Sequence, residues 1–175
     1  MTEYVSLFET GLGMGAVVAS EQGIRRVYLP HDNTLGTFAR DGLDRMPASE
    51  LTDMVAGMLM QYFKGERQQF DTTPVDISLA GQFRLHVLRL IRSIPYGVVR
   101  SYGEVARLAG SPGAARAVGA AMASNPVPIV IPCHRVVAAN GRLTGYSAPG
   151  GLELKKYLLQ MEGVEFKGEL ICQEK

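Results

Sequence analysis

Cys133, His134 and Arg135 are consecutive in the chain and bring a thiol, an imidazole and a guanidinium together. The thiolate is the nucleophilic form of cysteine, and a neighbouring imidazole or cation favours it. The neighbouring imidazole and guanidinium therefore favour a nucleophilic thiolate at Cys133. A second interpretation fits a bare Cys-His pair, because adjacent side chains often point apart and a lone cysteine commonly packs as a small hydrophobe.

Three prolines, Pro126, Pro128 and Pro132, precede the cysteine. Proline lacks an amide hydrogen and restricts the residue before it, so it forbids regular helix here. We therefore predict an extended, stiff arm over residues 125–132 that ends at the nucleophile.

A run of mostly small residues, Gly113 to Ala123, lies before this arm and contains one charged residue, Arg116. A helix of small residues can approach another surface closely, either the core of its own protein or a ligand backbone. Arg116 favours the ligand, because burying an unpaired arginine is costly.

Charge is unevenly distributed along the chain. Residues 84–142 carry 8 arginines and one acidic residue, a net charge of +7, whereas residues 1–80 carry 6 basic and 11 acidic residues. A polyanion would bind the basic block. A solvated basic surface is the alternative, since local charge bias is common.

Two short helices are predicted to present the small-residue run. Ser101 and Glu104 form a capping box that opens a helix over residues 102–109. Ser111-Pro112 is a cap followed by a proline at the first helical position, so a second helix is predicted from there to about residue 124. The pair is a helix-turn-helix candidate.

The first 80 residues predict strands and one helix. Apolar stretches at 4–8, 14–20 and 24–29 predict strands, and the stretch 68–79 predicts another strand with a connection. Apolar residues at helical spacing predict a helix from Pro47 to Lys64, capped by Ser49, after a polar loop over 30–46.

The composition is that of a globular protein, with 46% hydrophobic and 20% charged residues in a chain of 175. No signal peptide and no membrane span are predicted. Cys133 and Cys172 lie far apart in sequence, which argues against a disulfide framework and favours a cytoplasmic location. No spacing of cysteine and histidine indicates a metal site, so none is expected.

These motifs, taken in order, resemble one family. Ile-Pro-Cys-His-Arg-Val at 131–136, with Asn-Pro-Val-Pro at 125–128, is similar to the active-site signature of the O6-alkylguanine-DNA alkyltransferases, also called methylated-DNA–protein-cysteine methyltransferases. The resemblance runs from about residue 83 to 163 and includes Ser101-Tyr102, Ala114 to Gly119, Gly145-Tyr146-Ser147, and Leu158 to Gly163. Residues 1–80 resemble the family's N-terminal domain only in length and outline.

The resemblance implies DNA repair by direct reversal. The alkyl group, usually methyl, would pass from O6 of guanine to Cys133 irreversibly and without a cofactor. Glu162 would orient His134, and His134 would take the thiol proton through a water, while Asn125 would hold the turn before the cysteine. The thioether product is stable, so each molecule would act once. O4-alkylthymine is left open as a second substrate.

The same resemblance implies a pocket for a flipped guanine. Tyr102 would help rotate the nucleotide out and donate to ring N3, and Met122 would pack on the ring. The amides of Val136 and Ser147 would read the O6 and N2 edges, and Tyr146 would form one wall.

The implied partner is double-stranded DNA, bound through its minor groove. Ala115, Ala117 and Gly119 would face the groove floor, and Arg116 would fill the gap left by the extruded base. We expect a monomer without membrane association.

The predicted fold is α+β with two domains. Residues 1–80 would form a scaffold with a small antiparallel sheet and a helix, in a ribonuclease H-like outline. Residues 81–175 would form a mostly helical DNA-binding and alkyltransferase domain with a winged-helix-like helix-turn-helix.

Two other functions would use parts of the same sequence. A non-catalytic sensor of alkylated DNA would lack the nucleophile, and Cys133 argues against it. A cysteine hydrolase using Cys133 and His134 would leave the Arg116 helix and the basic block unexplained.

Overall fold

The computed structural model describes residues 2–31, 34–77 and 81–172. The chain divides into two compact units, Met1–Ile77 and Ser78–Lys175. Among the helices in the described ranges, none is both long and apolar enough to cross a lipid bilayer.

The N-terminal unit is built on a three-stranded antiparallel sheet in the order β1-β2-β3. Its strands are β1 (Tyr4–Thr10), β2 (Gly13–Ser20) and β3 (Gly23–Tyr28), which confirms the predicted strands to within two residues. The central strand β2 is buried on both faces from Gly15 onward, which explains its continuous run of small and apolar residues.

The helix α2 (Glu50–Phe63) packs on β1 and β2. Ser49 caps it, as predicted, by accepting the amide of Thr52, whose hydroxyl in turn accepts the amide of Ser49. Val55 and Leu59 of the predicted apolar stripe are fully buried.

Two stretches of this unit differ from the prediction. The predicted loop over 30–46 contains a helix, α1 (Thr34–Arg40), and a 3-10 turn at Leu43–Arg45. Phe38 of α1 is buried in the core cluster of the sheet, so tertiary packing stabilises a helix that the local sequence does not indicate. The predicted strand over 68–79 is reduced, in its described part, to one bridge between Val75 and Ile24, and residues 78 and 79 lie outside the described ranges.

The C-terminal unit is mostly helical. Its helices are α3 (Gln82–Arg92), α4 (Tyr102–Leu108), α5 (Ala115–Ala123) and α6 (Gly151–Met161). The first three pack against one another. Two short strand pairs complete it: β4 (Arg100–Ser101) runs parallel to β5 (Val136–Val137), and β6 (Phe166–Lys167) is antiparallel to β7 (Leu170–Ile171).

The capping box at the start of α4 is confirmed. Ser101 accepts the amide of Glu104, and the Glu104 carboxylate accepts the amide of Ser101 at 2.7 Å. The predicted start of the next helix at Ser111-Pro112 is wrong. Gly113 has φ of +96°, outside the helical region, so α5 begins only at Ala115 and has no side-chain cap.

Candidate active site around Cys133

Asn125 shapes the segment that leads to the nucleophile. Its Nδ2 donates to the carbonyl of Ile131 at 2.8 Å, and its Oδ1 accepts the amide of Val127 at 3.1 Å. Ile129 takes a left-handed φ of 70° between them. The segment 125–132 is therefore a closed turn, and the predicted extended arm is wrong. The prolines exclude a helix here, and the Asn125 side chain instead makes hydrogen bonds with backbone groups at both ends of the turn.

Cys133, His134 and Arg135 form one 3-10 turn. Successive side chains of such a turn project about 120° apart, since it has about 3 residues per turn. The guanidinium of Arg135 is directed to Glu162, so the expectation that it stabilises the thiolate directly is wrong.

The thiol lies at a pocket of about 620 Å³, within the usual range for small-ligand sites. Cys133 itself is only 7% exposed. The pocket brings together many of the predicted residues and is lined by Tyr102, Ala115, Arg116, Gly119, Met122, Ala123, Cys133, Thr144, Gly145, Tyr146 and Ser147.

Two predicted contact residues do not line this pocket. Val136 is fully buried, and its amide donates to the carbonyl of Cys133. The prediction that this amide reads a base edge is therefore wrong, because the turn at Cys133 already uses it. Ala117 is exposed on α5 and faces away from the pocket lining.

The Cys133 thiol is protonated at rest. Burial raises its pKa, and this outweighs hydrogen bonds from Asn125, the positive charge of Lys155, and the backbone amides of Cys133 and His134. A buried thiol of this kind needs a base to become a nucleophile.

His134 and Glu162 can supply that base. His134 Nε2 lies 2.8 Å from Oε1 of Glu162, and both side chains are 0% exposed. Burial lowers the pKa of His134 despite the opposing effect of Glu162, so the imidazole is neutral at rest. Burial alone would raise the pKa of Glu162, but the hydrogen bond from His134, together with the hydrogen bonds and the positive charge of Arg135, holds it well below its usual range. Glu162 is therefore an anion that can only accept.

The turn after α3 fixes this carboxylate from the other side. The Gly97 amide donates to Oε2 of Glu162 at 3.1 Å, and the Tyr96 hydroxyl donates to the carbonyl of Met161 at 3.0 Å. Gly97 has φ of +74°, and a Cβ there would lie 2.8 Å from the Glu162 carbonyl oxygen. Only glycine lets this backbone approach the end of α6 so closely.

Lys155 is a site residue that the sequence reasoning missed. Its amine is buried and donates to the carbonyls of Val136 at 2.7 Å, Thr144 at 3.1 Å and Gly145 at 3.4 Å. Burial lowers its pKa to about 8, against the opposing effect of Cys133. A lysine on the buried stripe of an amphipathic helix, three residues before Leu158, was the available signal.

Two tyrosines border the thiol. The Tyr102 hydroxyl donates to the Thr144 carbonyl at 2.9 Å, and burial raises the pKa of this tyrosine. Burial and the nearby Cys133 and Glu162 raise the pKa of Tyr146 well above its usual value. Both phenols therefore stay protonated and can act as donors.

Within the described ranges, no three side chains of His, Cys, Asp or Glu come together as metal ligands would. Cys172 is exposed and unpaired with Cys133.

A family model described as 6-O-methylguanine DNA methyltransferase, DNA binding domain, matches residues 82–164. A methylated-DNA–protein-cysteine methyltransferase of Methanosarcina acetivorans is 36% identical over 161 residues, which cover 91% of this chain and 98% of that protein. One from Mycolicibacterium paratuberculosis is 52% identical over 102 residues, or 58% of this chain, and the match spans 59% of that relative's length.

Solved structures resemble the whole fold. The crystal structure of Mycobacterium tuberculosis O6-methylguanine methyltransferase has a TM-score of 0.76 at 33% identity, covering 92% of this chain and 93% of that one. A second structure, of M. tuberculosis OGT in complex with DNA, has a TM-score of 0.73 at 31% identity, covering 91% and 93%. The matched fold is the same mixture of a small antiparallel sheet and helices described above.

Proposed function

The chain belongs to the methylated-DNA–protein-cysteine methyltransferase family, and on that premise we propose that it repairs alkylated DNA by direct reversal. It takes the alkyl group, methyl above all, from O6 of guanine in double-stranded DNA and retains it on Cys133. The observation that carries this proposal is the buried thiol, which lies at a pocket large enough to admit a base and is followed in the chain by the His134–Glu162 pair.

The chemistry follows from these contacts. His134 takes the thiol proton through its second ring nitrogen and a bridging water, because Nε2 is engaged with Glu162. The sulfur then attacks the alkyl carbon in line, a C–S bond forms and the C–O6 bond breaks, and the electron pair goes to the guanine. The Tyr102 hydroxyl, after exchanging its bond to Thr144, donates a hydrogen bond to N3 of the leaving guanine anion, and the proton that His134 took from the thiol returns to this base through water. The thioether remains, so one protein molecule repairs one lesion without a cofactor.

Binding to DNA is assigned to the C-terminal unit. Arg116 is exposed at the start of α5, at the mouth of the pocket, where it can enter the base stack as a nucleotide is extruded. Ala115 and Gly119 on the same helix admit a minor groove closely, and α4 with α5 acts as a winged-helix-like helix-turn-helix. The N-terminal unit is a scaffold with a ribonuclease H-like outline, and the protein acts as a monomer.

Replacing Arg116 with alanine will slow transfer from duplex DNA about 10²-fold and leave transfer from the free O6-methylguanine base unchanged, because only the duplex requires extrusion. Single-turnover rates with the two substrates measure the difference. Arg40→Ala, at an exposed arginine of α1 outside the basic block, is the matched control. Equal losses with both substrates would remove the intercalating role.

Replacing Lys155 with methionine will slow transfer from duplex DNA and transfer from the free base by a similar factor, roughly 10-fold or more. The two losses are similar because the Lys155 amine holds the Thr144–Gly145 wall of the pocket, which both substrates enter. The same two rates measure this. Lys156→Met is the control, since Lys156 is only half-buried and packs on Phe166. A loss confined to duplex DNA would contradict this role.

The proposed function is tested by incubating the protein with duplex DNA containing O6-methylguanine and weighing the intact protein and its peptides. One added methyl group on Cys133, saturating at one per molecule, is the expected result. Lesion-dependent binding without a mass change would instead identify a non-catalytic sensor. If the protein showed neither a mass change nor lesion-dependent binding, both functions would be rejected.

A further inference from the structure

Arg135, as well as His134, determines the orientation of Glu162. Arg135 donates from Nε to Oε2 at 2.8 Å and from Nη2 to Oε1 at 2.9 Å, so its guanidinium binds both carboxylate oxygens. Paired bonds of this kind define geometry as well as adding energy. The guanidinium is itself fixed, because Nη1 donates to the Ile94 carbonyl at 2.6 Å and the group lies 5.8 Å from the ring centre of Tyr96.

Three residues thereby direct four N–H groups at the carboxylate of Glu162. His134 Nε2 and Arg135 Nη2 share Oε1, while Arg135 Nε and the Gly97 amide share Oε2. An ionised carboxylate has about four lone-pair sites, so this set fills them. Rotation of the carboxylate would break at least two bonds, and no oxygen has room for a proton.

We propose that Arg135 is a positioning residue that fixes the tautomer of His134. Because Glu162 can only accept, Nε2 of His134 must carry the hydrogen that points at it. A neutral imidazole has a single N–H, so Nδ1 is left as the nitrogen that takes the thiol proton. Without the guanidinium, the carboxylate is free to turn or to bind a proton, and the inactive tautomer becomes populated.

This inference rests on the proposed function, since it concerns the same thiol, but it is tested with two reagents. One is duplex DNA containing O6-methylguanine. The other is iodoacetamide, a small alkylating agent that needs no DNA and reacts with Cys133 only when the thiol has given up its proton. Peptide mass spectrometry separates the modified Cys133 from the exposed Cys172, which serves as an internal standard.

We expect Arg135→Met to slow the alkylation of Cys133 by both reagents about 10²-fold, while the rate at Cys172 stays unchanged. Arg135→Lys, which keeps the charge but loses the paired bonds, will restore only part of the rate. Arg40→Met, at an exposed arginine outside the basic block, will match the unaltered protein. Nitrogen NMR of isotope-labelled histidine will show the Nε2–H form of His134 in the unaltered protein and a mixture in Arg135→Met.

A double-mutant cycle distinguishes an effect of Arg135 through Glu162 from a general loss of structure. If Arg135 acts through Glu162, adding Arg135→Met to Glu162→Gln will change the iodoacetamide rate by no more than about twofold. Fully additive losses, or an unchanged tautomer in a slowed Arg135→Met, would overturn the proposal. If methyl transfer from DNA fails in the unaltered protein but the iodoacetamide rates follow this pattern, the proposed function is rejected and the role of Arg135 stands.

Discussion

Replacing Cys133 with serine will abolish alkyl transfer while leaving binding to DNA intact. The hydroxyl group fills the same position, but it is a far weaker nucleophile than the thiol. The surface proposed to bind DNA, including Arg116, is untouched. Intact-protein mass after incubation with methylated duplex measures transfer, and a mobility-shift titration measures binding.

Cys172→Ser is the matched control for this prediction. Cys172 is exposed and distant in sequence from the pocket lining, so this variant will gain one methyl group at the rate of the unaltered protein. A Cys133→Ser protein that still gains a methyl group would place the nucleophile elsewhere. Loss of methyl gain in Cys172→Ser alone would do the same.

Much of the site could be predicted because its signals are local. The capping box at Ser101 and the small-residue run around Arg116 each constrain the backbone within a few residues. The structure brings the pocket residues on both sides of this run together at the thiol. The resemblance then assigned roles to single positions that composition alone could not distinguish.

What could not be predicted depends on long-range contacts. Whether Arg135 faces the thiol or Glu162 depends on the 3-10 turn and on a carboxylate 27 residues away. The position of Lys155 in its helix does not predict what its amine binds, because its partners are backbone carbonyls of another segment. The start of α5 was misjudged because a Ser-Pro cap signal is overridden by Gly113, whose φ of +96° cannot be read from the sequence.

Glu162→Gln will have the second large effect, on both rate and stability. The amide that replaces the carboxylate has one oxygen and one NH₂ group, whereas all four partners in the native site are donors. Whichever way the amide turns, NH₂ meets an N–H of Arg135. His134 loses its fixed acceptor, so we expect methyl transfer to slow by about 10²–10⁴-fold. Single-turnover rates measure this, with the exposed Glu153→Gln as control.

The stability of this variant provides an independent test through its pH dependence. Removing one member of a buried charged pair costs about 3–5 kcal/mol, because Arg135 is left buried without its counter-ion. The pKa of Glu162 is lowered in the folded protein, so its stabilising contribution is complete above the ordinary glutamate pKa of about 4.3 and is lost as the pH falls toward the folded value. The difference in unfolding free energy between the two proteins, from denaturant titrations, will therefore be constant above about pH 5 and shrink below about pH 4. A difference that grew on acidification would mean that the carboxyl is protonated in the folded protein, and Glu162 could then not be the fixed acceptor on which the orientation of His134 depends.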